Sequence, residues 1–212
     1  MKILFTSDIH GHIQAFERFS ELLYSYELDI GIISGDLMTY HPDKNLIEEK
    51  TKKILEKSGK RIFFIMGNDD GILDHNWEDT ELLINPNLRK IEFGKINIVG
   101  YQYTNPYVGG PFEKTEELQS NDMKILKTLI DSKTIFVSHG PAYGILDRTY
   151  TNKNVGSIAI SKLLSETKPL FHLFGHIHQS AGVSGTSVNG AYPNIRKFFV
   201  IDTKTMVIEN IT

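Results

Sequence analysis

The sequence FTSDIHGH, residues 5–12, closes an apolar run that begins at Ile3. Such a run has the composition of a buried strand, and Gly11 marks the loop that follows it. Asp8 and His10 therefore stand where a strand opens into a loop. A carboxylate and an imidazole two positions apart are candidate metal ligands, although surface loops also contain single Asp-x-His triplets. Later segments of the same shape favour the metal-site interpretation.

Four later segments repeat the pattern of an apolar run that ends in a small residue and a ligand-type side chain. Between the first three apolar runs of the chain, residues 13–26 and 45–57 have apolar side chains at helical spacing. This gives a β-α-β-α-β order. Short buried strands in this order pair in parallel through right-handed crossovers, and functional side chains gather beyond their carboxyl ends. The four segments are IISGD (32–36), FFIMGNDD (63–70), IFVSHG (135–140) and LFGHIH (173–178).

The whole pattern predicts an α/β fold, built as a two-sheet sandwich with helices outside and forming a single domain over residues 1–212. The elements after residue 88 add antiparallel strands, so both parallel and antiparallel pairing are expected. Predicted helices cover 13–26, 45–57, 115–130 and 155–166, with a short one plus a turn in 77–88. Predicted strands cover 28–34, 61–66, 134–138 and 170–174, with a hairpin over 89–93 and 96–101 and a small antiparallel meander in 187–211.

The composition is that of an ordinary globular protein. The chain has 212 residues, of which 40% are hydrophobic and 23% charged, and a net charge of −3. This balance provides no positive field to attract nucleic acid, so a nucleic-acid partner is not expected. The N-terminus lacks the features of a secretory signal, and no apolar run is long enough to span a bilayer, so we expect a cytoplasmic location and no membrane partner. The sequence yields no prediction of the oligomeric state.

The strand ends together supply two carboxylates, one amide oxygen and four imidazoles, which suits two metal ions better than one. Asp36 is the expected bridging ligand between ions roughly 3.5 to 4 Å apart, because a carboxylate has two oxygens and Gly35 lets the backbone turn tightly. Two cations lower the pKa of a bridging water and neutralise charge on phosphoryl oxygens, which favours phosphate ester hydrolysis. The candidate ligands are Asp8, His10, Asp36, Asn68, His139, His176 and His178.

The absence of cysteine restricts any metal site to nitrogen and oxygen ligands. Histidine, carboxylate and amide ligands suit hard or borderline divalent ions. We expect two such ions, with manganese as the first choice and iron, zinc, nickel or magnesium as alternatives.

The segments Asp8-Ile9-His10, Gly35-Asp36, Gly67-Asn68-Asp69-Asp70, Ser138-His139-Gly140-Pro141 and Gly175-His176-Ile177-His178 resemble, in order and approximate separation, the motifs of the calcineurin-like metallophosphoesterase superfamily. The resemblance implies a four-layer α-β-β-α sandwich with two mixed sheets. It also implies hydrolysis of a small phosphate ester by attack of a metal-bridging hydroxide. In that arrangement one metal is held by Asp8, His10 and His178, the other by Asn68, His139 and His176, and Asp36 bridges them.

A narrower similarity concerns the substrate. Residues 139–147 and Gly156-Ser157 resemble the branch of the superfamily that contains small phosphodiesterases. Phosphodiesters or nucleotides are therefore the expected substrates. A non-catalytic metal-binding scaffold for protein partners, and a nuclease, are the alternatives that the sequence leaves open.

The third motif departs from the pattern of many superfamily members. Those proteins have His directly after the Asn, where it can donate a proton to the leaving group, and this chain has Asp69. An exposed Asp is ionised at neutral pH and is a poor acid unless burial or a neighbouring anion raises its pKa. Asp69 and Asp70 could share a proton and act in catalysis, or form a solvated pair in a loop.

Candidate substrate contacts lie next to the motifs. Asn68 is a candidate contact as well as a ligand. His12 follows the first motif closely enough to face the site, and Arg148 follows the fourth, where a guanidinium could clamp a phosphate. An exposed His at a helix start and an ordinary surface Arg are the alternatives. The aromatic, Gly- and Pro-rich segment 101–112 either lines a substrate entrance or packs on its own domain.

Overall fold

The computed structural model describes residues 1–75 and 77–212, with only the backbone described at 194 and 195. The secondary structure elements, in chain order, are β1 (Lys2–Thr6), α1 (Ile13–Ser25), β2 (Ile30–Ser34), α2 (Lys44–Glu56), β3 (Ile62–Ile65), α3 (Asn68–Ile72), β4 (Leu83–Ile84), β5 (Lys90–Phe93), β6 (Ile96–Tyr101), α4 (Glu116–Leu129), β7 (Thr134–Ser138), α5 (Ile158–Thr167), β8 (Phe171–Phe174), β9 (Gly182–Ser184), β10 (Ser187–Asn189), α6 (Tyr192–Ile195), β11 (Phe198–Asp202) and β12 (Val207–Ile211).

Two mixed six-stranded sheets form the centre of the molecule. The first has the order β12-β11-β1-β2-β3-β4, and the second has the order β5-β6-β7-β8-β10-β9. Strands β1 to β4 pair in parallel, as do β6, β7, β8 and β10. The pairs β1–β11, β11–β12, β5–β6 and β9–β10 are antiparallel. The α/β fold with two mixed sheets is therefore confirmed.

Three apolar cores separate four layers. Helices α1 and α2 pack against the outer face of the first sheet, where Phe16 and Leu55 are buried. The inner faces of the two sheets pack together through side chains such as Phe5 and Phe171. Helices α4 and α5 cover the outer face of the second sheet through Leu126 and other apolar residues. The central strands are thus buried on both faces, which explains their continuous apolar sequences.

Side-chain hydrogen bonds cap the first turns of α2 and α5. The Asp43 carboxylate accepts a hydrogen bond from the amide of Leu46 at 2.9 Å, which caps α2. Ser157 caps α5 by accepting from the amide of Ile160 at 3.2 Å. These bonds satisfy amides that have no partner within the helix.

Among the described residues, no helix combines the length and apolarity needed to cross a membrane.

Three local predictions were wrong. The segment 77–88 contains the short strand β4 rather than a helix, because Leu83 pairs with Ile62 at the sheet edge. The tail does not form one meander: β9 and β10 join the second sheet, whereas β11 and β12 join the first. On α4, the helical spacing of the apolar residues predicts that Leu118 and Ile125 lie on the buried face, but they are 52% and 57% exposed. Helix α3 was not predicted at all.

Candidate metal centre

The candidate ligands lie beyond the carboxyl ends of five parallel strands. Asp8, Asp36 and Asn68 follow β1, β2 and β3 of the first sheet, and His139 and His176 follow β7 and β8 of the second. The two sheets therefore contribute to one site at their common edge. Four ligand-bearing residues have a left-handed backbone, which non-glycine residues adopt mainly where the fold demands a special side-chain direction. They are Asp8 (φ 55°), His10 (φ 49°), Asp36 (φ 47°) and His176 (φ 69°).

Asp8, His10 and His178 form a first group of donor atoms. Nε2 of His178 is 3.2 Å from Oδ1 of Asp8 and 3.3 Å from Nε2 of His10. One donor atom from each residue lies within 4.8 Å of the others. The Asp8 carboxylate is fully buried and accepts the amide of His176 at 2.9 and 3.1 Å, which fixes its orientation.

Asn68, Asp36, His139 and His176 form a second group. Nε2 of His139 is 3.0 Å from Oδ1 of Asn68 and 3.3 Å from Oδ2 of Asp36. Asp36, His139 and His176 also bring one donor atom each within 4.8 Å of one another. On the other side of its ring, Nδ1 of His139 donates to the carbonyl of Ser34 at 2.8 Å, which directs Nε2 into the group.

Asp36 lies between the two groups. Its Oδ2 is 3.3 Å from Nε2 of His139 and 3.9 Å from Nε2 of His10, while its Oδ1 accepts the amide of Asp69 at 2.9 Å. Imidazole nitrogens and carboxylate oxygens thus converge on the same small volume. The lone pairs of these atoms repel one another unless a proton or a cation lies between them. Divalent cations satisfy such a donor set, so the residues present fit two metal ions that share Asp36.

The charges of the buried ligands are coupled. Burial raises the pKa of Asp8, but the hydrogen bond with His178 and the field of His139 outweigh it, so the pKa is lowered. Burial likewise opposes ionisation of Asp36, yet His139 lowers the Asp36 pKa. Burial lowers the pKa of His139, but Asp36 outweighs this effect and raises it to about 10. Both carboxylates are therefore ionised and His139 is protonated at neutral pH, so a cation that binds here has to displace the His139 proton.

Two glycines let the ligands approach closely. A Cβ atom on Gly175 would lie 2.0 Å from Oδ2 of Asp8 and from Oγ of Ser7. A Cβ atom on Gly67 would lie 2.2 Å from Oδ1 of Asp36. Both distances are far below van der Waals contact, so only glycine fits at these positions next to His176 and Asn68.

A cleft of about 490 Å³ opens over the two donor groups. This volume lies in the range of small-molecule sites. The cleft walls come from the loop before α4 and the loop before α5. The lining residues outside the ligand set are Asp69, Asn105, Pro106, Tyr107, Thr149, Tyr150, Thr151, Val155, Ile177 and Gln179.

The model of the family described as calcineurin-like phosphoesterase matches residues 1–180. The chain belongs to this family. It is accordingly a metal-dependent phosphoester hydrolase of a family that uses a dinuclear metal site, and its donor groups agree with that chemistry. None of the curated proteins matches the sequence.

Solved structures of similar fold cover nearly the whole chain. The protein TT1561 of Thermus thermophilus is 18% identical with a TM-score of 0.75, and the match covers 100% of this chain and 98% of that one. A dimetal phosphatase from Danio rerio is 9% identical with a TM-score of 0.66, covering 94% and 91%. An archaeal phosphodiesterase is 15% identical with a TM-score of 0.54, covering 100% and 99%. These similarities establish the calcineurin-like phosphoesterase fold.

Asp69 occupies the position where many calcineurin-like phosphoesterases have His. It lines the cleft, and its side chain is 44% exposed. Oδ1 accepts from the side-chain Nδ2 of Asn68 at 2.8 Å, and Oδ2 is 3.5 Å from Nδ1 of His10. Burial and the negative charge of Asp36 raise the Asp69 pKa. Asp69 therefore faces the cleft beside the candidate ligands His10 and Asn68.

Asp70 has a different environment, which corrects its expected role as a catalytic partner of Asp69. Its side chain is fully buried and accepts the amides of Gly67, Leu37 and Met38 at 2.8, 3.1 and 2.9 Å. Burial and the charge of Asp36 raise the Asp70 pKa to about 7. With no exposed surface, Asp70 holds together the loops that carry Asp36 and Asn68 instead of reaching substrate.

The other expected substrate contacts divide between cleft and surface. Asn68 lines the cleft. His12 is exposed at the start of α1, outside the described lining. Arg148 is also exposed, and its guanidinium donates to Asn152 at 3.1 Å while its neighbours Thr149 to Thr151 line the cleft. The structure therefore does not bring His12 and Arg148 into the described cleft.

His172 supports the end of β7 from the neighbouring strand. Its ring stacks on Phe136 and Phe174, with centroids 5.3 and 4.6 Å away, and its Nε2 is 2.8 Å from Oγ of Ser138. The same hydroxyl donates to the carbonyl of Gly140 at 2.6 Å. His172 thus fixes the backbone on both sides of His139.

We expect His172 to make stability depend on pH. Burial lowers the pKa of His172 from 6.5 to about 3. Below pH 6.5, His172 is therefore protonated in the unfolded chain but stays neutral in the folded chain. The corresponding stability is fully present above pH 6.5 and is lost as the pH falls, by up to about 1.4 kcal/mol per pH unit. Urea unfolding of His172→Gln, which keeps a donor for Ser138, should show a flatter decline from pH 6.5 to 4.5. Parallel curves for the two proteins would contradict this assignment.

Proposed function

We propose that the chain hydrolyses phosphodiesters or nucleotides at a dinuclear metal site. Asp8, His10 and His178 would hold one cation, Asn68, His139 and His176 would hold the other, and Asp36 would be the ligand that they share. When bound, the two cations lower the pKa of a water molecule and neutralise charge on phosphoryl oxygens. The observation that supports this proposal is that the two donor groups meet at Asp36 on the floor of an open cleft.

The protein prepares the site by fixing its ligands before a substrate arrives. The Ser34 carbonyl sets the orientation of the His139 ring, and the amide of His176 sets that of the Asp8 carboxylate. Both contacts orient their side chains, and the hydrogen bond that His139 donates also raises the basicity of its imidazole. Little reorganisation is then needed when charge develops on the phosphoryl group.

Asp69 is our candidate for the group that meets the leaving oxygen. It lines the cleft beside His10 and Asn68, and it lies where an imidazole would otherwise stand. A half-exposed carboxyl is a weaker source of protons at neutral pH than an imidazolium. We therefore propose a preference for substrates with good leaving groups over alkyl phosphomonoesters.

Manganese is the metal we propose. The ligand set combines carboxylate, amide and imidazole donors without sulfur, which suits manganese and other hard or borderline ions. Iron, zinc, nickel and magnesium are the ions to compare with it.

A substrate panel tests the proposed function. The metal-loaded protein would be assayed with bis(p-nitrophenyl) phosphate, p-nitrophenyl phosphate, cyclic nucleotides and single-stranded DNA, in parallel with each metal and with a chelator. We expect metal-dependent turnover, fastest on the diesters. No hydrolysis by a protein that contains two metals would favour a non-catalytic scaffold. Preferential cleavage of the DNA would favour a nuclease.

Asp69→His is expected to increase hydrolysis of alkyl phosphomonoesters. A well-placed general acid contributes roughly 10²- to 10⁴-fold, and we expect at least about a tenfold gain in kcat for the least activated esters. The measurement is the dependence of rate on leaving-group pKa across a series of esters. It should be steep for the wild-type protein and shallower for the variant. Asp69→Asn is the matched control and should stay steep, whereas equal slopes for all three proteins would place Asp69 outside leaving-group chemistry.

A further inference from the structure

Two tyrosines line the cleft with most of their surface open to solvent. Tyr107 is 76% exposed and Tyr150 is 81% exposed, and both border the same cavity as the metal-ligand candidates. The Tyr107 ring lies edge-on to the His176 ring, with centroids 6.1 Å apart. Single exposed aromatic residues on a surface are unremarkable. Here, however, both rings border the cavity in which phosphoester chemistry takes place.

The loop that carries Tyr107 is held in place by the protein itself. The Glu113 carboxylate accepts the amides of Tyr107, Val108 and Gly109 at 2.6, 3.1 and 2.9 Å. Neighbouring aromatic residues of the same segment pack inward, since Tyr103 contacts Phe112 with ring centroids 6.1 Å apart. Segment 101–112 thus packs on its own domain through Tyr103 and Phe112, and it also lines the cleft entrance, where its aromatic residue is Tyr107.

The loop that carries Tyr150 is a closed turn. The amide of Thr149 donates to the carbonyl of Lys153 at 3.0 Å, and the amide of Asn152 donates to the carbonyl of Thr149 at 2.8 Å. The backbone is also tied to the segment that follows His178, because the Ser180 hydroxyl donates to the carbonyl of Arg148 at 2.7 Å. Aromatic side chains on ordered loops lose little conformational entropy when they bind a ligand.

We propose that Tyr107 and Tyr150 form a stacking platform for the base of a nucleotide substrate, and this inference rests on the proposed function of the cleft. Stacking on exposed aromatic rings holds a planar base while the phosphate occupies the metal site. Polar groups in the same cleft can meet the hydrogen-bonding edge of a base and distinguish it from a plain aryl group. These groups belong to Asn105, Thr149, Thr151 and Gln179.

The platform is tested with ligands that differ only in the base. The probes are adenosine 5′-methylenephosphonate and the methyl riboside with the same phosphonate, whose phosphorus–carbon bonds resist hydrolysis. Calorimetry on the manganese-loaded protein should show at least about tenfold tighter binding of the adenosine compound. In the Tyr107→Ala, Tyr150→Ala double variant the difference should fall below about threefold, since the stacking surface is gone.

Two controls separate ring stacking from other effects. The Tyr107→Phe, Tyr150→Phe protein keeps both rings and should keep the preference for the base. Tyr24 on α1 is 72% exposed outside the described cleft, and Tyr24→Ala should leave both affinities unchanged. Equal affinities in the wild-type protein, binding of neither probe, or a preference that survives the double alanine variant would each overturn the platform.

Turnover of bis(p-nitrophenyl) phosphate by the same preparation keeps the two proposals apart. Turnover without preference for the base contradicts the platform alone. A preference for the base without turnover of any ester contradicts the proposed hydrolysis and leaves the platform in place as a nucleotide-binding site.

Discussion

Asp36→Asn is expected to abolish turnover while leaving the chain folded. The substitution keeps the size of the side chain and an oxygen that can accept the amide of Asp69, but it removes the charge that both donor groups share. An amide is a poor bridge between two cations, so one or both should be lost. The loss of several kcal/mol of charge stabilisation corresponds to a fall of roughly 10³-fold or more in kcat/KM.

The measurements for this variant are metal content, circular dichroism and turnover of an activated diester. Secondary structure should match the wild type, which would separate loss of chemistry from loss of fold. His139→Ala removes a neighbouring candidate ligand while residue 36 stays Asp, and it should also abolish turnover. An Asp36→Asn protein that retains two metals and a rate within tenfold of wild type would remove Asp36 from the centre of the site.

Gly175→Ala is expected to damage the site through a single methyl group. The new Cβ would lie 2.0 Å from both Oδ2 of Asp8 and Oγ of Ser7, so the end of β8 or the Asp8 carboxylate must move. A misplacement of about 1 Å in a catalytic group lowers the rate by roughly 10²-fold. Overpacking in a buried site also destabilises by about 1 to 3 kcal/mol, which urea unfolding would detect.

Gly185→Ala is the matched control for this change. Gly185 lies between β9 and β10 with φ 59°, and a Cβ there meets no atom of the described chain within 4 Å. It should lose about 1 kcal/mol from backbone strain and keep wild-type metal content and turnover. Equal activity of the Gly175→Ala and Gly185→Ala proteins would mean that Asp8 tolerates displacement.

The sequence was sufficient to predict the parts of the fold that depend on local pattern. Strands such as β2 and β7 are buried on both faces, and their continuous apolar runs give a clear signal. The candidate ligands could be selected from the sequence for the same reason, because each follows such a run. Their convergence could be inferred because parallel strands end at a common edge.

Predictions failed where long-range contacts decide the outcome. The local sequence does not show which strand each tail segment pairs with. Residues 187–189 pair with β8, whereas residues 198–202 pair with β1. On α4, the apolar residues Leu118 and Ile125 compete with Met123 and Leu126 for the buried face, and packing against α5 and the sheet selects the second pair. Helix α3 has the sequence NDDGI, which contains no helical repeat of apolar residues.

The different surroundings of Asp69 and Asp70 were also beyond sequence reasoning. The two carboxyls are adjacent in the chain, and their identical chemistry gives no hint that they face different surroundings. The helical backbone of α3 directs their side chains differently. Asp69 lies in the cleft, whereas Asp70 accepts the amides of Leu37 and Met38. The three amides that hold Asp70 leave no trace in the sequence.

The most direct test of the account is a crystal structure of the manganese-loaded protein with anomalous scattering measured at the manganese edge. We expect two anomalous peaks roughly 3.5 to 4 Å apart, as in two-metal hydrolytic sites, with the Asp36 carboxylate between them. One peak should lie among Asp8, His10 and His178, and the other among Asn68, His139 and His176. A single peak, or peaks away from Asp36, would contradict the dinuclear site on which the proposed function depends.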